Sequence, residues 1–63
     1  MNAFESFAAC LRRDRDHTLN TRALRLLANL TRARASGDPD RIAQAEELER
    51  QCRAEIARRK ALR

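Results

Sequence analysis

The chain has 63 residues, with 14 basic and nine acidic side chains and a net charge of +5. That length allows one small domain, 1–63, and such a chain buries only about 60% of its unfolded surface, so a lone copy is marginally stable. Val, Tyr and Trp are absent, which argues against strands. Ala, Leu, Arg and Glu dominate, and these are strong helix formers, so the expectation is an all-α fold.

The first helix is predicted over about residues 3–13. Asn2 suits the N-cap and Glu5 follows three residues later, as a capping box asks. Phe4, Phe7, Ala8 and Leu11 recur at the spacing of one buried helical face. Residues 12–17 then hold Arg and Asp in alternation and no large apolar side chain, and they read as a frayed end and a solvated link.

The second helix is predicted over about 21–36. Asn20 can cap it, and Leu19 before the cap can staple to Leu24. Ala23, Leu26, Leu27, Leu30 and Ala33 share a face, and Ser36-Gly37 marks the stop. The third helix, about 39–62, opens with Asp38 as N-cap and Pro39 in the first position. Its apolar stripe is Ile42, Ala45, Leu48, Cys52 and Ile56. Glu46–Arg50, Glu49–Arg53 and Glu55–Arg59 stand in the favoured i,i+4 order. The link between the second and third helices is so short that it predicts an antiparallel helical hairpin.

Nine of the thirteen Leu, Ile, Phe and Met residues fall in the first thirty positions. The front half therefore carries more apolar surface than the last helix can cover, and the expectation is a homodimer closing into a helical bundle. The predicted seam is Phe4, Phe7 and Leu11 against Leu24, Leu27 and Leu30 of the same or another chain, with a three-helix monomer as the alternative.

Charge is unevenly spread. Residues 21–37 carry four Arg and no acid, residues 38–49 are net −4, and residues 50–63 are net +5. On a helical wheel Arg22, Arg25, Asn29 and Arg32 fall within about 80° of one another. Arg and Asn on one helical face suit phosphate and base-edge contacts. The apolar face of the third helix ends in basic residues, so Arg58, Arg59, Lys60 and Arg63 are expected to extend the same nucleic-acid surface. The competing explanations are a solvated face paired with neighbouring acids, an acidic protein partner, and cations capping a helix C-terminus.

One His, one Gly and no Tyr leave little for catalysis, and no phosphate loop, zincin motif or nucleophile elbow is present. No enzyme activity, cofactor or metal site is expected. Cys10, His17 and Cys52 are too few for a closed zinc site. No segment is apolar enough to span a membrane, and the first residues lack an export signal. A cytoplasmic protein with reduced thiols is the expectation.

Residues 19–30, from Leu19 to Leu30, resemble the opening helix of winged-helix regulators. After them the chain departs from that pattern, with one long charged helix and neither recognition helix nor wing. The layout is also similar, in architecture alone, to the small dimeric helical hairpins with which plasmids bind RNA. Two functions stand: a small regulatory nucleic-acid-binding protein, or a non-enzymatic protein-interaction module such as an adaptor, inhibitor or assembly subunit, with a phage or other mobile element as one source.

Overall fold

A computed structural model describes residues 3–62. They form three helices, α1 (Ala3–Arg13), α2 (Asp16–Ser36) and α3 (Pro39–Ala61), with no strand among the described residues. The expected Asn2 cap and the Arg63 site lie outside them. None of these helices is long and apolar enough to cross a membrane. At 1.5 Å per residue the 23-residue α3 is about 35 Å long, and it sets the long axis of a particle measuring 39 × 25 × 17 Å.

The turn between α2 and α3 follows from its residues. Gly37 sits in the left-handed region at φ 73°, and its N–H donates to the Arg34 carbonyl. A Cβ there would meet no atom within 4 Å, so glycine is required for its backbone freedom rather than for space. The Ser36 hydroxyl donates to the Ala33 carbonyl and accepts from the Asp38 N–H. Asp38 then accepts from the Asp40 N–H at 3.0 Å, capping α3 ahead of Pro39.

The start of α2 differs from the sequence expectation. The helix begins at Asp16, not Thr21, and Arg15 occupies the N-cap without a side-chain cap bond. The expected link over 12–17 shrinks to Asp14 and Arg15. The acidic Asp16 suits the positive end of the helix dipole. Leu19, expected as a staple outside the helix, becomes a core residue of its first turns, only 1% exposed.

The core is a cluster of Leu11, Leu19, Leu26 and Cys52, with Phe7, Ala23, Leu48 and Ile56 packed against it. Leu19, Ala23, Leu26, Leu30 and Ala33 form the inward line of α2, spaced alternately four and three apart. They meet the apolar stripe of α3, and α2 and α3 pack extensively along one another. Burying each leucine contributes about 2 kcal/mol. The Cys52 thiol donates to the Leu19 carbonyl at 3.6 Å, tying the two helices inside the core. The shorter α1 lies against α3 through Leu11.

Candidate functional site

The residues expected to seal a dimer divide into two groups. Leu11 and Leu30 are buried by their own chain, and Phe7 is half-buried against the core. Their burial is explained within one copy, so they leave the expected seam. Phe4, Leu24 and Leu27 stay exposed, Leu24 by 71%. Leu24 and Leu27 stand one turn apart on the outer side of α2.

The expected basic surface divides as well. Arg59 is no surface cation: its side chain is only 16% exposed. Its Nε donates to Glu55 Oε2 at 2.8 Å, Nη1 to Asp16 at 2.9 Å, and Nη2 to the Leu11 and Arg12 carbonyls. One guanidinium thus joins α3 to the start of α2 and to the last carbonyls of α1. The end of α1 lies over this part of α3 and supplies the acceptors. Arg58 grips both oxygens of Glu55, at 3.0 and 2.7 Å. Glu55 is buried between the two arginines, and its carboxyl is drawn down to about 2, by the Arg58 hydrogen bond first and that of Arg59 second. Arg22, too, is held in place: Nε donates to Asp14 at 2.9 Å, and the guanidinium lies 5.8 Å from the centre of the Phe7 ring. These contacts hold all three arginines in place, while the Arg22 and Arg58 side chains stay 38% and 52% exposed. Lys60 is exposed.

Arg25, Asn29 and Arg32 remain exposed on α2. Between α2 and α3 runs a groove of about 410 Å³ lined by Leu26, Asn29, Arg32, Ala33, Arg41, Gln44, Ala45 and Leu48. Its floor is apolar and its rim holds two guanidiniums and two carboxamides, without an acid. Arg25, Arg32 and Arg41 enter none of the described ion pairs. Arg41 and Gln44 were missed by the charge count because Arg41 is the one cation of an acidic segment. Stepping outward from Gly37 along both helices would have brought it opposite Arg32.

The other side of the α2–α3 pair is electrostatically different. There Leu30 and Ala43 lie among Arg34, Arg50, Arg53, Glu46, Glu47 and Glu49. Glu47 pairs with Arg50 and Glu49 with Arg53. Charge on that side is balanced, whereas the groove rim of Arg32 and Arg41 holds no acid.

Among the described residues no group of three His, Cys, Asp or Glu side chains could hold a metal ion. Cys10 is exposed and Cys52 buried, both as free thiols. No family model matches this chain, and no curated protein or solved structure matches it either.

Proposed function

We propose that this protein is a small non-enzymatic nucleic-acid-binding module, built as an antiparallel helical hairpin with an N-terminal helix braced across it, and paired with a second copy. The observation that carries the reading is the acid-free face of Arg25, Asn29, Arg32 and Arg41. Carboxylates of the same chain pair with Arg22, Arg50, Arg53, Arg58 and Arg59, whereas Arg25, Arg32 and Arg41 are exposed and enter none of the described ion pairs. Guanidiniums grip phosphate oxygens in bidentate fashion, and carboxamides read base edges. The test is fluorescence anisotropy with labelled DNA and RNA at about 50 mM salt, where phosphate contacts are strong. The wild type binds, and the triple variant Arg25→Ala, Arg32→Ala, Arg41→Ala does not. Binding that survives the triple variant, or no binding by the wild type, would remove the reading.

One observation favours a second reading. Leu24 is 71% exposed and Leu27 42% on a helix whose inward face is already filled. Exposed leucines one turn apart suit a helix-on-helix contact. A protein-interaction module would lose its partner on Leu24→Arg and keep it when the arginines are replaced.

A further inference from the structure

The groove between α2 and α3 has a chemistry finer than positive charge. We infer that it is a pocket for one unstacked nucleotide, so that the protein takes single-stranded nucleic acid in preference to a duplex; this rests on the nucleic-acid reading above. The groove is open to solvent along its length, and its volume of about 410 Å³ leaves room for one base. Leu26, Leu48, Ala33 and Ala45 make a floor on which the flat face of a base loses water. Asn29 and Gln44 each bring both donor and acceptor atoms to the rim, which is what a base edge requires. Arg32 from α2 and Arg41 from α3 stand on the same rim, free of ion pairs, and meet the flanking phosphates.

A duplex cannot use this arrangement. Its bases are stacked, it offers only their edges and its backbone, and the apolar floor stays wet. A splayed single strand offers the base face, base edge and phosphate together. The occupant is therefore a single strand; an acidic peptide also offers backbone donors and acceptors to the carboxamides, and competition by polyglutamate separates the two.

The experiment compares a labelled mixed-sequence single strand of about 10 nucleotides with a blunt duplex of equal length, by anisotropy on the full chain. The single strand is expected to bind at least about tenfold more tightly. The double variant Asn29→Ala, Gln44→Ala is expected to lower single-strand affinity about tenfold, a typical base-contact loss. Both residues are exposed at helix surfaces, so the variant keeps its helical circular dichroism. Methyl resonances of Leu26 and Leu48 are expected to shift when the single strand is added. Duplex binding as tight as single-strand binding overturns the pocket and leaves the nucleic-acid reading standing. Equal competition by polyglutamate, or unmoved Leu26 and Leu48 methyls, overturns the pocket too. Binding of neither nucleic acid removes both.

Discussion

Arg59 Nη2 donates to the Leu11 carbonyl oxygen at 2.8 Å, across 48 positions of sequence. Leu11 closes the core with its side chain and offers its carbonyl to α3. That bond, with those to Glu55 and Asp16, holds all three helices at one point. Arg59→Ala should lower the urea midpoint by more than an exposed replacement such as Arg25→Ala, which is near neutral. The fall should stay below that of Leu19→Ala, which opens a core cavity and costs about 3 kcal/mol. Arg59→Lys should recover only part, since an ammonium cannot span the same acceptors. Nucleic-acid affinity at a temperature where the variant is folded should change little.

Glu55 links stability to acid. Its carboxyl titrates at about 2 in the fold, below the ordinary value of 4.5. A depressed folded value means the charged form is favoured by folding, so its contribution is fully present above about pH 4.5 and is lost as pH falls towards 2. Urea midpoints measured down through this window should decline steadily in the wild type. Glu55→Gln should be less stable at neutral pH and show a flatter decline. An equal acid slope in both proteins would show that other carboxylates carry the effect.

The two thiols should differ in reactivity. Cys10 is exposed, whereas Cys52 is fully buried and desolvation raises its titration above that of a free thiol. An aromatic disulfide reagent at neutral pH should label Cys10 promptly and Cys52 only after denaturant is added. Rapid labelling of Cys52 in the native chain would mean that α2 and α3 part readily.

The proposed pairing of two copies rests on the exposed Leu24 and Leu27. Leu24→Arg or Leu27→Arg should bring the solution mass from two copies to one without loss of helical signal, because neither side chain supports its own core. A wild type that stays at one copy across the accessible concentration range would contradict pairing through this face.

The helix types and the Gly37-Asp38-Pro39 turn were legible from local chemistry, since capping, dipole and φ preferences act within a few residues. The start of α2 was not. Asp16 to Thr18 hold no large apolar side chain, and Asp16 is secured by Arg59, 43 positions away. Arg59 itself was readable as an i,i+4 partner of Glu55, but not as a buried one. Its burial depends on the end of α1 crossing α3, which no periodicity encodes. The site was half legible for the same reason. Arg25, Asn29 and Arg32 share a helical face and declare themselves on a wheel. Arg41 and Gln44 join them only through the packing of α3 on α2.

The most direct test of the central claim is the salt dependence of single-strand binding by the wild type and by the Arg25→Ala, Arg32→Ala, Arg41→Ala variant. If these three guanidiniums each neutralise a phosphate, the logarithm of the wild-type affinity should fall with the logarithm of salt at a slope of about −2. The triple variant should show no measurable binding across the same salt range. A wild type insensitive to salt, or a variant with the same slope, would contradict the claim that this face holds nucleic acid.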